Sequence, residues 1–158
     1  MHLQLLDLSN NNIMDIDSDT FRNTRKLQVL NLAHNFLPEV SYDTFRTLGD
    51  LRIVDLSYNN LRSLPDNLFI GDDLEILDLS HNQLTKIPVT SLSNVAALTL
   101  CQLDLSHNHI GAIHSMDLSN KFRVKILSFK SQKDHNYFIF YFPAIVKFRL
   151  VTQSTCSS

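Results

Sequence analysis

The chain has 158 residues, 44% of them apolar, enough for one continuous core and fitting a single domain. Its formal charge of −2 hides an asymmetry: residues 1–118 hold 7 Lys/Arg and 15 Asp/Glu, a net of −8, while residues 119–158 hold 7 Lys/Arg against Asp134 alone, a net of +6. The acidic body argues against nucleic acid as a partner, and the only two cysteines, Cys101 and Cys156, stand far apart and spell no legible disulfide framework.

From Leu3 onward one phrase, L-x-x-L-x-L-x-x-N-x-L, is written five times. The first copy uses Leu3, Leu6, Leu8, Asn11 and Ile13, and the second Leu27, Leu30, Leu32, Asn35 and Leu37. The third uses Leu51, Val54, Leu56, Asn59 and Leu61, and the fourth Leu74, Leu77, Leu79, Asn82 and Leu84. The fifth uses Leu100, Leu103, Leu105, Asn108 and Ile110. Its asparagines recur 24, 24, 23 and 26 residues apart, so the units start at residues 3, 27, 51, 74 and 100. Apolar residues at places four and six leave one face of a short strand, because side chains alternate along a strand. One such strand cannot bury its face alone, so successive coils must stack and share a core. Asn fits the ninth place, where the chain turns inward. Its amide both donates and accepts, and it can satisfy backbone groups of its own coil and of the neighbouring one.

The return path repeats too. Ile16, Val40, Leu64, Ile87 and Ile113 follow three residues after the last apolar place. Phe21, Phe45 and Phe69 come next at one offset, with Leu92 and Leu118 in the later units. Isolated apolar residues among polar neighbours suit a short helix, a 3₁₀ turn or an irregular convex segment. Pro65 and Pro88 favour an irregular, non-strand path.

After Phe122 and Arg123 a sixth unit falls due. Val124, Leu127 and Phe129 imitate its first apolar places, so one more strand is expected to dock. Then Gln132 stands where Asn belongs and Asp134 where leucine belongs. The uncharged run from Tyr137 to Val146 is too short to span a membrane, and Pro143 opposes a continuous helix or central strand. Residues 124–158 therefore stand apart from the array of 1–123. Three origins remain open for them: an improvised C-terminal cap, a membrane-surface segment of aromatic and basic residues, or intron-derived sequence. The last is favoured. Val124–Lys125 can be encoded by GTA-AAA or GTA-AAG, like the start of an intron, and the phrase is lost just beyond.

The architecture expected is an α/β solenoid: a right-handed coil bent into a horseshoe arc. It has a concave parallel β-sheet of five to six short strands and a mostly irregular or short-helical convex side. Places three, five, seven and eight are expected on the exposed concave face, where equal places line up about 4.8 Å apart. Place five reads Asp7, Asn31, Asp55, Asp78 and Asp104, and place eight reads Asn10, His34, Tyr58, His81 and His107. Place three is more apolar, with Leu5, Val29, Ile53, Ile76 and Gln102, and place seven reads Ser9, Ala33, Ser57, Ser80 and Ser106. An acidic ridge, an apolar strip and an aromatic and histidine edge suit a basic or mixed protein surface, with Tyr58 as anchor. Asp7, Asn31, Asp55, Asp78, Asp104, Tyr58, His34, His81 and His107 are thus the candidate protein-binding residues. The bland alternative is that Asp-Leu-Ser is simply the commonest spelling of such a repeat.

Asp78, Ser80 and His81, like Asp104, Ser106 and His107, contain the residue types of a hydrolase triad. They arise from a repeated phrase on an open surface with no implied pocket or oxyanion donor, so no enzyme is expected. His81 and His107 lack recognised metal-ligand spacing. No metal, cofactor, small-molecule substrate or phosphate loop is read.

The phrase identifies the chain as similar to the leucine-rich repeat superfamily, in the typical class of animal cell-surface proteins. Within it, LRSLPDNLF at 61–69, LEILDLSHNQLTKIP at 74–88 and LTLCQLDLSHNHIGAIHSMDLSNKFR at 98–123 resemble the chaoptin-type adhesion proteins of insect photoreceptors. The resemblance covers residues 1–123 and implies an extracellular parent, membrane-associated through its own anchor, acting by homophilic or other protein contacts. This chain shows no signal peptide before Leu3, no cap and no N-x-Ser/Thr sequon. It is expected to be a protein-binding module, a fragment of a cell-surface adhesion or receptor protein, with an intracellular scaffold or regulatory protein, or a non-functional truncated product, as the alternative. Sequencing transcripts across codons 123–126 tests the intron-derived origin of the tail. A well-supported mature transcript carrying residues 124–158 would remove it.

Overall fold

The computed structural model describes residues 2–71, 73–95, 99–111, 126–130 and 137–140. Each phrase contributes one short strand at places three to five: β1 (Leu5–Asp7), β2 (Val29–Asn31), β3 (Ile53–Asp55), β4 (Ile76–Asp78) and β5 (Gln102–Asp104). Two more follow, β6 (Ile126–Lys130) and β7 (Tyr137–Phe140). All seven form one sheet in chain order. β1 to β6 pair in parallel, with equal places in register, such as Leu30 beside Val54 and Leu77 beside Leu103. The strand expected from the sixth unit is present as β6, with Leu127 beside Leu103, while Val124 lies outside the described residues. β7 runs antiparallel to β6 and adds a strand beyond the five or six expected. Gln132, Asp134 and Pro143 lie outside the described residues, as do Ile113 and Leu118.

The core is a stack of identical layers. Leu27, Leu30, Leu32, Leu37, Leu56, Leu61, Leu77 and Leu79 are essentially inaccessible to solvent. On the return side Phe21, Phe45 and Phe69 make a buried spine, with ring centroids 6.1 and 5.7 Å apart, and Leu92 continues it. The convex segments are turns, with no helix among the described residues. Their hydrogen bonds span three residues, as in Thr24 N–H to Phe21 C=O and Leu48 N–H to Phe45 C=O. Bonds of this kind, in 3₁₀ style, are the tight solution for short convex pieces. Cys101 is buried, and Cys156 lies outside the described residues.

Three-residue strands supply few ladder bonds, so other groups must hold the coils together. The asparagines at place nine do so. Asn59 Nδ2 donates to Leu32 C=O of the preceding coil at 3.0 Å and lies within bonding distance of Leu56 and Ser57 C=O in its own. Its Oδ1 accepts from Leu37 N–H of the preceding coil at 3.0 Å. Asn35, Asn82 and Asn108 repeat this pattern on Leu8, Leu56 and Leu79 carbonyls. Asn11 is exposed and bonds only Leu8 and Ser9 of its own coil.

One expectation fails. Ala33, Ser57, Ser80 and Ser106 at place seven are buried, not exposed on the concave face. The reason is backbone geometry. Place eight has positive φ in every unit, at 56, 54, 53, 54 and 55° for Asn10, His34, Tyr58, His81 and His107. The chain leaves the strand there, so alternation stops and place seven is enclosed between neighbouring coils. Its carbonyl accepts the place-eight N–H of the preceding coil, as in His34 N–H to Ser57 C=O at 3.0 Å.

Because each inner asparagine satisfies buried groups in two coils, Asn59→Ala is expected to destabilise the chain by about 3 kcal/mol. Asn11→Ala, at an exposed amide bonded within one coil, should cost less than about 1 kcal/mol. Urea unfolding midpoints of the two variants check the difference. Equal midpoints would mean that the amides do not tie the coils.

Candidate functional site

The strands bring the candidate residues into two parallel rows, one at place five and one at place eight. At place five each side chain first serves its own backbone. Asp55 Oδ1 accepts Ser57 N–H at 2.9 Å, Asp78 Oδ1 accepts Ser80 N–H at 2.8 Å, and Asp104 Oδ1 accepts Ser106 N–H at 2.8 Å. Asn31 holds Ala33 N–H at 3.0 Å and Asp7 holds Ser9 N–H at 2.9 Å. This is a local side-chain turn that ends the strand, a role Asn and Asp share. The commonest-spelling explanation of these aspartates therefore has a physical basis. Asp55, Asp78 and Asp104 remain half-buried along the sheet, so each is partly accessible.

Lateral stacking makes neighbours of these carboxylates. Burial pushes the Asp78 carboxyl above its ordinary value, against the hydrogen bonds from Ser80, and the charges of Asp104 and Asp55 push the same way. Exposed Asp7 at the end of the row is shifted down, by its Ser9 hydrogen bonds. Beside the acids, Val29, Ile53 and Ile76 are half-buried and Leu5 is exposed, so the apolar strip is present.

At place eight the rings stack face to face. His34 and Tyr58 lie 4.0 Å apart at 12°, Tyr58 and His81 4.0 Å at 9°, and His81 and His107 3.9 Å at 12°. Four candidate residues thus form one continuous row along the edge of the sheet. An open trough of about 550 Å³ runs beside it. The opposite wall comes from place ten, with Phe36, Asn60 and Gln83, and the inner asparagines lie between the walls. The aspartates do not line this trough. Place ten was missed because the phrase leaves it unspecified. The large exposed Phe36 was its only signal.

The residue types of the first triad set are taken up by the fold. Ser80 is buried and its side chain hydrogen-bonds to Asp78, while the His81 ring lies between Tyr58 and His107. Among the described residues no group of three His, Cys, Asp or Glu could hold a metal ion, and no helix is long and apolar enough to cross a membrane.

The sequence matches the family model described as "Leucine rich repeat" over residues 1–61 and 49–110. No curated protein matches it significantly. Among solved structures, the leucine-rich repeat domain of APL1B superposes with a TM-score of 0.70 at 21% identity, covering 82% of this chain and 44% of that one. A second similar structure is the octameric complex of Latrophilin 3, Unc5D and FLRT2, the last represented by its leucine-rich repeat region. It has a TM-score of 0.64 at 28% identity, covering 82% of this chain and 39% of that one. The chain spans less than half the length of either structure.

The electrostatics of place five give a signed prediction. With its folded pKa raised, ionised Asp78 opposes folding, and the opposition fades as pH falls through the folded pKa. Asp78→Asn keeps the acceptor for Ser80 N–H, as Asn31 does at the same place. It should stabilise the chain at pH 7, a gain that shrinks as Asp78 itself becomes protonated in acid. Asp78→Ala, which orphans that N–H, should show no such gain. Urea titrations of both variants at pH 7 and pH 3 provide the check. A destabilised Asn variant at pH 7 would show that the carboxylate charge supports the fold.

Proposed function

The chain belongs to the leucine-rich repeat family, and on that premise we propose that it is a protein-binding module of a cell-surface adhesion or receptor protein. The binding face is the concave sheet together with its place-eight edge. One observation carries this: a single rigid surface sets the carboxylates of Asp55, Asp78 and Asp104 beside an apolar strip and the exposed Tyr58. Such a face complements a basic or mixed protein surface, with an aromatic anchor for the apolar contact. Small-molecule catalysis has no comparable support, since repeat surfaces of this kind are open and their residues are set by the repeat.

Two further lines support a protein partner. The similar FLRT2 region stands in a complex with other proteins. The unusual stretch from Leu98 to Arg123, which contains the fifth unit, resembles chaoptin, which favours adhesion and makes a second copy of the protein a candidate partner. Cell-surface placement then comes through the parent protein's anchor.

Truncating the exposed ring row tests the face. Tyr58→Ala combined with His81→Ala should weaken partner binding about tenfold or more. Arg22→Ala with Arg46→Ala, on the convex side, should leave it within about twofold. Aggregation of beads coated with the full chain reads homophilic contact, and titration with a basic protein at rising salt reads the acidic face. Unchanged binding in the Tyr58/His81 double variant would remove the concave edge from consideration.

A further inference from the structure

The trough beside the ring row differs chemically from the acidic row that shares its coils. None of its lining residues is an Asp, Glu, Lys or Arg. Two of the six exposed large apolar side chains of the chain's described part meet in it, Phe36 at 49% and Tyr58 at 44% exposure. Because the four rings stack on one another, they turn edges rather than faces outward. Aromatic edges carry the positive part of the ring quadrupole and favour acceptor oxygens. Across from them, the Asn60 and Gln83 amides touch each other only at 3.4 Å, and Arg62 Nε reaches Gln83 Oε1 also at 3.4 Å. These long contacts leave donor and acceptor capacity for a ligand.

We propose that this trough docks an extended, basic segment of a partner protein. The segment lays an apolar or aromatic side chain against Phe36 and Tyr58 and turns flanking Lys or Arg toward Asp55, Asp78 and Asp104. Dimensions and charge both fit. Four coils at about 4.8 Å spacing span roughly the length of four extended residues at about 3.3 Å each. The amides and ring edges offer what a peptide backbone needs, carbonyl partners and N–H partners in one strip. Residues 1–118 carry a net of −8, so a basic segment is attracted and an acidic one repelled. The inference rests on the protein-binding reading of the concave face and narrows it to a segment and a subsite.

The test uses the full chain and three capped octapeptides, alternating Phe-Arg, Ser-Arg and Phe-Glu, titrated by calorimetry. The Phe-Arg peptide should bind at least about tenfold more tightly than Ser-Arg, and Phe-Glu should bind weakest. Phe36→Ser, at an exposed side chain, should bring Phe-Arg down to the Ser-Arg level, while Asp55→Asn weakens both Arg peptides alike. Equal binding of Phe-Arg and Ser-Arg, indifferent to Phe36→Ser, would overturn the trough and leave the acidic concave face standing. Phe-Glu binding as tight as Phe-Arg would overturn the basic segment. If neither Arg peptide binds, the trough and the acidic face both fall.

Discussion

The amide of one asparagine per coil is the constraint from which the rest of the structure follows. A parallel strand of three residues pairs too little backbone to fix its neighbour, and the chain turns inward immediately after it. Without the asparagine, the carbonyl at place six and the N–H at place eleven would be buried unpaired, each at a cost of about 1–3 kcal/mol. Asn59 meets Leu32, Leu56 and Ser57 with one nitrogen and Leu37 with one oxygen. Only a side chain with both functions on one short arm can do this. Once the coils are tied in register, equal places must stack, and the sheet, the Phe spine and the ring row are consequences of that single spacing.

The same spacing has opposite consequences for the two candidate rows. At place eight, a left-handed backbone is unfavourable for a residue with a bulky side chain, by roughly 1–2 kcal/mol. His34, Tyr58, His81 and His107 nevertheless occupy it. Ring stacking, worth about 0.5–1.5 kcal/mol per pair, offsets part of that strain. Asn10, with no ring to stack, has a side chain that tolerates the conformation by itself. At place five, stacking buries Asp78 and sets Asp104 and Asp55 beside it, and burial first, then their charges, raises its proton affinity. Rings gain from being repeated; charges lose.

What the sequence made legible was whatever a unit needs for its own sake. Leucines, asparagines and the Phe spine repeat because each coil must bury and bond the same groups, and the parallel register follows. Ser57 and Ser80 were misplaced because strict alternation was carried one residue past the strand, where only the φ of Tyr58 and His81 reveals the turn. The ring stack is a property of two units together. It depends on rotamers as well as spacing, so His34 and Tyr58 read as separate residues in the chain. The trough was hidden for another reason. Its second wall is place ten, which the phrase leaves free, and Phe36, Asn60 and Gln83 share no residue type. The aspartates' backbone role was not legible: that Asp55, Asp78 and Asp104 each hold the N–H two residues on is a matter of side-chain geometry that the repeated spelling does not reveal.

That backbone role explains why an acidic row can persist on a fold that does not need its charge. Asn31 performs the backbone task at place five as well as Asp55 does, at 3.0 Å against 2.9 Å. A neutral row would therefore hold the strand ends without the burial cost, and the lesser repulsion, felt by Asp78. The excess charge is dispensable to the turn and unfavourable to the stack, yet it sits beside the one strained, aromatic edge of the sheet. A basic partner would neutralise the row and relieve Asp78 in the same step. A cation at the row would offset the charges of Asp104 and Asp55 at Asp78, so binding a basic partner and folding would be linked through this one group. Asp78, a half-buried acid at a place where Asn31 shows that an amide serves the turn, is thus where this surface carries charge at a cost to the fold.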